Sequence, residues 1–337
     1  MNVQQFQNLL KPLTESERLH LFQSARTLTR QRFGRTIQLF APLYISNECV
    51  VTCTYCGFSR QNKIERKTLT VDEVLKEAEY LRQQRFRHLL LVSGEHPKQV
   101  SPEYLSLIAQ KLRPLFASLA IEVAPFDKET YSRLCASGVD RVVLYQETYD
   151  RLQYASVHLA GPKKFYEKRI QSAEAVLQSG IRSLGMGILL GLSDWRAEAT
   201  ALFEHLLGLR KKYWRADYTV SFPRLRPCAS DFAIPHPVSD DDFKQLIAAF
   251  RLALPEAGIV LSTRESATLR DELIGLGVTQ MSAGSRTEPG GYLHPDQALK
   301  QFETEDQRSP EEISRAVQAK GLEPVWKDEE STLMEVL

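Results

Sequence analysis

The sequence lacks any long apolar run. Nowhere among its 337 residues are there the about 20 consecutive apolar residues that a bilayer-spanning helix needs, so no membrane association is expected. It also lacks an excess of either charge. Lys and Arg number 43 against 42 Asp and Glu, a formal net charge of +1. Such balance offers no field of one sign to nucleic acid or an anionic surface, and no nucleic-acid partner is expected. The opening MNVQQFQNLLKPLTESER has no charged-then-apolar secretion pattern, which makes the cytoplasm the expected location. No low-complexity stretch or linker divides the chain. Cysteine is scarce: Cys49, Cys53, Cys56, Cys135 and Cys228 are all there are. An odd number, with three packed together, makes a poor disulfide framework and points to a reducing compartment and a metal site.

What is present is alternation. Residues 1 to about 38 read as an N-terminal helical extension, with Thr14 and Glu17 as a capping box and Gly34 as a stop. The remainder, 39–337, is expected to form one domain. TIQLFAPLYIS opens a series of apolar strands that continues at 88–93, 119–124, 140–145, 183–190, 217–222, 258–263 and 278–283. A helical pattern follows each strand. Thr70 with Glu73, Ser101-Pro102, and Ser309-Pro310 with Glu312 mark helix starts. Eight such units predict an α/β fold, a (β/α)8 TIM-type barrel, with an open doubly wound sheet as the alternative. Just beyond the strands lie Cys49 to Cys56, Ser93-Gly94-Glu95, Gln146-Glu147, Gly191, Pro223 to Arg226, Arg264-Glu265 and Gly284-Ser285-Arg286. In barrels the active site occupies that face.

The cysteine segment reads NECVVTCTYCGFS, a C-x3-C-x2-C spacing on a loop after an apolar strand. Thiolates suit soft metals, and a cubane cluster takes one Cys per iron. Three cysteines leave one iron open to a cofactor. The bland alternatives are a zinc site completed by a remote histidine and cysteines that merely pack. A closed zinc site wants a fourth ligand nearby, and the nearest candidate, His88, falls inside a predicted strand.

With Tyr55 inside it and Gly57-Phe58 after it, this motif resembles that of the radical S-adenosylmethionine (SAM) superfamily. The run NECVVTCTYCGFSRQNKIERKTL is similar to the aromatic amino acid lyases, above all the tyrosine lyases of thiamine biosynthesis. LLLVSGEH, LYQETYDRLQYASVHLAGPKK, SFPRLRPC, LSTRES, GGY and EPVWKD extend the resemblance over roughly residues 25 to 328. The resemblance implies a 4Fe-4S cluster on Cys49, Cys53 and Cys56, with SAM on the open iron. It implies that Tyr55, Gly94, Glu95, Glu147 and Arg169 contact SAM, Glu95 holding its amino group and Arg169 its carboxylate. GILLGL would supply main-chain contacts to adenine. Read alone, Glu95 is a solvated loop acid, Arg169 a solvated helix arginine and GILLGL barrel core.

On the substrate side, a tyrosine carboxylate needs a cation, and arginine binds it in bidentate geometry. Arg264 is the first candidate and Ser282 could add a hydrogen bond. Arg224 and Arg226 are alternatives, equally readable as loop bridges. His158 reads as a proton-handling or a structural histidine, and Cys135 and Cys228 as packing residues. The implied reaction splits the Cα–Cβ bond of L-tyrosine, giving p-cresol and 2-iminoacetate with methionine and 5′-deoxyadenosine. Implied partners are a thiazole synthase and a flavodoxin or ferredoxin reductant. Three other readings stand beside this one: a tryptophan lyase, a hydrogenase-maturation tyrosine lyase, and a non-catalytic metal-binding protein. The maturation enzyme carries a C-terminal cysteine-bearing extension, whereas no cysteine follows Cys228 here. Cys53→Ala is expected to abolish cluster binding and SAM cleavage, and Cys135→Ala and Cys228→Ala to keep the cluster, as checked by iron content and visible absorbance after anaerobic reconstitution.

Overall fold

The computed structural model describes residues 1–230, 232–295 and 298–326. Eight parallel strands form its centre: β1 (Thr36–Ser46), β2 (His88–Ser93), β3 (Ser118–Glu122), β4 (Arg141–Glu147), β5 (Ser183–Ile188), β6 (Asp217–Ser221), β7 (Gly258–Leu261) and β8 (Gln280–Ser282). Each pairs with its sequence neighbours. β8 returns to β1, placing Gln280, Met281 and Ser282 beside Gln38, Leu39 and Phe40. That last pairing closes the barrel and excludes the open sheet. Helical crossovers keep successive strands parallel.

The alternation of β1 explains both faces. Ile37, Leu39, Ala41, Leu43 and Ile45 are all at most 1% exposed and face the helical layer. Gln38, Phe40, Pro42 and Tyr44, the other period-2 set, line a cavity inside the barrel. The same split recurs on β3, where Ser118, Ala120 and Glu122 line the cavity while Leu119 and Ile121 are fully buried.

The helix starts fall where the caps put them. The side chains of Thr14, Thr70 and Ser309 each accept from the backbone three residues on, and Glu17, Glu73 and Glu312 complete the boxes. Two helices precede the barrel, α1 (Val3–Leu10) and α2 (Glu15–Phe33), the second stopped by Gly34 at φ 63°. Phe6 of α1 lies 4.4 Å from Phe203 and 5.0 Å from Phe250, ring centre to ring centre. Gln245 donates to the carbonyls of Leu9 and Lys11, both at 2.8 Å, and satisfies the end of that helix.

Several elements were not predicted. Glu323–Val325 adds a ninth parallel strand beside the start of β1. A short helix spans Arg151–Val157, and His158–Ala160 pairs antiparallel with Thr52–Cys53 of the cysteine loop. Lys327 and Asp328 of the EPVWKD run lie outside the described residues. No described helix is long and apolar enough to cross a membrane.

Behind β8, Arg270 and Asp306 form an ion pair with both side chains fully buried. Arg270 also donates to the carbonyl of Ser282, and Arg308 donates to both carboxylate oxygens of Asp306. Removing one member strands a buried charge. Asp306→Ala is therefore expected to lower stability by about 3–5 kcal/mol, measured as a fall in the urea midpoint.

Candidate active site at the mouth of the barrel

The cysteine loop, 47–59, follows β1 directly. It is held by close backbone approaches that only glycine permits. A Cβ on Gly94 would overlap the Glu48 carbonyl, one on Gly161 would come within 2.8 Å of the Val50 carbonyl, and one on Gly57 within 2.5 Å of the Gln301 carbonyl. The end of β2, the 158–161 segment and the 300–302 segment thus clamp the loop from three sides. Val50 N–H donates to the Glu95 carbonyl at 2.9 Å. Arg66 donates to the carbonyls of Asn47, Phe58, Ser59 and Asn62 at 2.7–3.2 Å. Neither Arg66 nor the 300–302 segment was singled out in the sequence.

Cys53 is buried, and Cys49 and Cys56 are half-buried. Burial pushes each pKa up, well above the usual range for Cys53 and to about 11 for Cys56. They stay protonated until a metal displaces the proton. The thiols lie within electrostatic reach of one another. Yet among the described residues no three His, Cys, Asp or Glu side chains converge where one ion could sit. Three thiols on one loop are the ligand number and type that a cluster giving each thiolate its own iron takes.

Beside the thiols lies a buried network of four charges. Arg169 donates to Glu95 at 3.0 Å and to the Tyr145 carbonyl at 2.9 Å. Lys163 reaches Glu147 at 2.7 Å and Glu95 at 3.7 Å. The four side chains are 7–13% exposed, so neither Arg169 nor Glu95 is the solvated surface residue of the bland reading. Burial pushes Glu147 up in pKa, but Lys163 and Arg169 outweigh it and hold the carboxylate below its usual range. Glu147 has φ 70°, unusual outside glycine, at an irregularity in the β4–β5 pairing. Lys163, in the AGPKK run, carried no sequence signal of its own.

Tyr55 lines the cavity and its hydroxyl meets Nε2 of His158 at 2.9 Å. The other ring nitrogen of His158 lies 2.9 Å from the Tyr154 carbonyl, which can only accept. Nδ1 therefore carries the proton and Nε2 accepts from Tyr55. Burial drives the His158 pKa down to about 3, so the ring is neutral and orients Tyr55. Cys228 is not remote: its Sγ lies 3.2 Å from the Tyr55 carbonyl. Leu189 and Leu192 of GILLGL pack with Val157 and Leu225 beside Tyr55.

Arg264 and Ser282 both line the cavity. The Arg264 guanidinium stacks 3.3 Å from the centre of the Phe302 ring and makes one long contact, 3.4 Å, to the Arg224 carbonyl. Arg224 itself is not among the lining residues. Its guanidinium is taken by Glu265, Asp240 and the Val238 carbonyl, so its role is to bridge loops at the rim. Arg226 touches the cavity, but its charge is matched by Glu265 and Glu305. One acid in the wall was missed altogether. Glu122, at the end of β3, is pushed up to about 7 by burial and by Glu147, against the pull of Arg264, Lys163 and Arg169.

A closed (β/α)8 barrel with three clustered thiols at its mouth matches two family models, the Radical SAM superfamily over residues 43–203 and the Biotin and Thiamin Synthesis associated domain over 221–323. The chain is thus a radical SAM enzyme. It is 44% identical over 326 residues to the 2-iminoacetate synthases of Salmonella typhimurium and Escherichia coli, covering 96% of this chain and 86% of each relative. It belongs to the 2-iminoacetate synthase family. Among solved structures, the FeFe-hydrogenase maturase HydG from Carboxydothermus hydrogenoformans superposes with a TM-score of 0.91 at 36% identity, covering 97% of this chain and 76% of that one. Methylornithine synthase (PylB) shares the fold, with a TM-score of 0.76 at 21% identity.

Gly94→Ala would force the loop backbone at Glu48 to move. The expected result is a folded protein, normal by circular dichroism, that binds markedly less iron per chain on reconstitution. Wild-type iron content would show that the close approach at Gly94 does not hold the loop.

Proposed function

We propose that the chain cleaves the Cα–Cβ bond of L-tyrosine, releasing 2-iminoacetate and p-cresol. The observation that carries this reading is the 44% identity with 2-iminoacetate synthases along nearly the whole chain. The lower identity to the maturase HydG, 36%, favours this reading over that one. In it, Cys49, Cys53 and Cys56 hold a 4Fe-4S cluster, and Tyr55, Gly94, Glu95, Glu147 and Arg169 surround SAM. When bound, cluster and SAM together supply a 5′-deoxyadenosyl radical that takes a hydrogen atom from the substrate amino group.

The protein's part is binding, orientation and exclusion of water. Arg264 holds the tyrosine carboxylate. Its stacking on Phe302 fixes the guanidinium plane, and the planar fork fixes the carboxylate in turn. The Ser282 hydroxyl adds a hydrogen bond. The aromatic ring then points down the barrel, between Leu90, Val143, Met186 and Val260. This apolar wall keeps water from the hydrolysable imine. A thiazole synthase that consumes the imine, and a flavodoxin or ferredoxin that supplies electrons, complete the reading. Arg224 has no place in it, since its charge is spent at the rim.

Anaerobic turnover with SAM and either L-tyrosine or L-tryptophan tests the reading. Tyrosine is expected to give p-cresol together with 5′-deoxyadenosine, and tryptophan no cleavage product. Carbon monoxide or cyanide from tyrosine, or turnover of tryptophan alone, overturns it. Arg264→Lys keeps the charge but loses the fork and the stacked plane. Misplacement by about an ångström costs on the order of a hundredfold. The variant is expected to cleave SAM slowly while p-cresol falls far more. A parallel fall of both products removes Arg264 as the anchor.

A further inference from the structure

Two charges in the cavity wall, Arg264 and Glu122, form no ion pair among the described residues. Of the lining arginines, Arg226 is paired with Glu265 and Glu305, and Arg141 is hydrogen-bonded to Gln280. Arg264 has no carboxylate partner among the described residues; its contacts are the Phe302 ring and one main-chain carbonyl. Of the two lining carboxylates, Glu147 is paired with Lys163. The Glu122 side chain makes no hydrogen bond or ion pair among the described residues, although it senses the charge of Arg264. Tyr44 and Tyr145, buried beside them, sense both charges.

An ionisable group withdrawn from bulk solvent without a partner is costly unless a ligand completes it. An α-amino acid carries the complementary pair of charges on adjacent groups. If Arg264 takes the carboxylate, as the lyase reading holds, the ammonium falls to the remaining acid. We propose that Glu122 receives the α-ammonium group of the substrate and takes one proton from it, so that the amino group enters the reaction as a free amine. The inference rests on the lyase reading.

In this step an N–H bond breaks heterolytically. The electron pair stays on nitrogen and the proton moves to a Glu122 carboxylate oxygen; nothing is oxidised or reduced. The surroundings suit such a transfer. Arg264 of the loop after β7, Lys163 of the Pro162–Lys164 turn and Arg169 on the helix Tyr166–Leu177 after β4 all disfavour a cation nearby. Glu147 of β4 and burial favour a protonated Glu122. Tyr44 of β1 and Tyr145 of β4 are held neutral by burial and add no charge. A carboxyl titrating near neutrality is matched to a proton it must both accept and release. Loss of a hydrogen atom from the free amine leaves a neutral nitrogen-centred radical; Cα–Cβ homolysis then gives the imine and a 4-hydroxybenzyl radical, which one electron from the flavodoxin or ferredoxin reductant and one proton convert to p-cresol.

The test compares L-tyrosine with 3-(4-hydroxyphenyl)propanoate, the same molecule without its amino group. Binding to the reconstituted, SAM-loaded enzyme is measured by equilibrium dialysis, and p-cresol formation is followed against pH. Wild-type enzyme is expected to favour tyrosine about ten- to hundredfold, the range for one charge-assisted contact. Glu122→Gln should lose that preference and bind the deaminated analogue as wild type does. Its p-cresol rate should fall at least about tenfold, without the rise through neutral pH that wild type shows, and Glu122→Asp should restore part of that rise. Equal wild-type affinity for the two compounds overturns the proposal even if no variant folds. So does a Glu122→Gln variant with wild-type preference, rate and pH profile. Wild-type enzyme that forms no p-cresol from tyrosine defeats the lyase reading instead, while the binding comparison still reports on Glu122.

Discussion

The constraint on which this site depends is that buried charge must be matched. Glu95, Arg169, Lys163 and Glu147 sit together almost without solvent, beside thiols that must themselves ionise to hold metal. Two positive and two negative side chains make the group neutral overall. Each is fixed by at least one partner, so none can leave without stranding another. The group also fixes chain geometry. It joins the end of β2 to the end of β4 and to the helix Tyr166–Leu177, across the cysteine loop. The loop thus rests on a platform that is electrically closed and mechanically braced, with Arg66 gathering its carbonyls from the far side.

The second constraint is that the barrel is not filled. TIM-type barrels normally pack their interior with layers of bulky side chains. Here several inward positions hold small residues, Ser118, Ala120, Gly185, Thr219 and Ser221, which leave room for the cavity, although Arg141 and Gln280 still meet at 3.0 Å between β4 and β8. At Gly187 a side chain would collide with the ring of Tyr145, so that glycine gives Tyr145 its place. Stability comes instead from the outer shell, where alternate strand residues are fully buried against helices. Separating the two faces lets the cavity be shaped for a ligand without weakening the core that carries the fold.

This separation also explains what the sequence disclosed. The outward faces carry period-2 apolar runs and the helices carry capping boxes, both local signals, so the barrel and its helix starts were legible. The cysteine spacing was legible because a cluster loop needs its ligands close in sequence. Lys163, Arg66, Glu122 and Gln301 were not. None belongs to a spaced motif or a periodic pattern, and their roles show only once the chain is folded, as when Gln301 accepts from Tyr44 at 2.8 Å. Arg224 and Arg264 show the limit from the other side. Both follow a barrel strand and both are arginines at the rim. Only the placement of Glu265, buried between Arg224 and Arg226, shows that one is spent on structure and the other is not. The short ribbon of Thr52–Cys53 with His158–Ala160 was missed for a related reason, since two- and three-residue strands leave no periodicity to detect.

The charge pattern of the mouth as a whole follows the chemistry of what must enter it. In the reading proposed here, both organic ligands carry an α-amino acid group, with a cation and an anion two bonds apart. A site with net charge of one sign would attract one end of such a group and repel the other. This mouth presents opposite charges twice, Glu95 and Arg169 in contact, and Glu122 and Arg264 apart but within electrostatic reach. The first pair is joined in a 3.0 Å contact that a ligand's ammonium and carboxylate can replace at little electrostatic cost, exchanging one matched pair for two. The second pair is apart and unfilled, so a ligand there completes charges that are otherwise unsatisfied. The closed pair suits a cofactor that binds, is consumed and leaves on every turnover. The open pair gains most from a zwitterion, and so selects for an intact amino acid rather than a fragment lacking either charge.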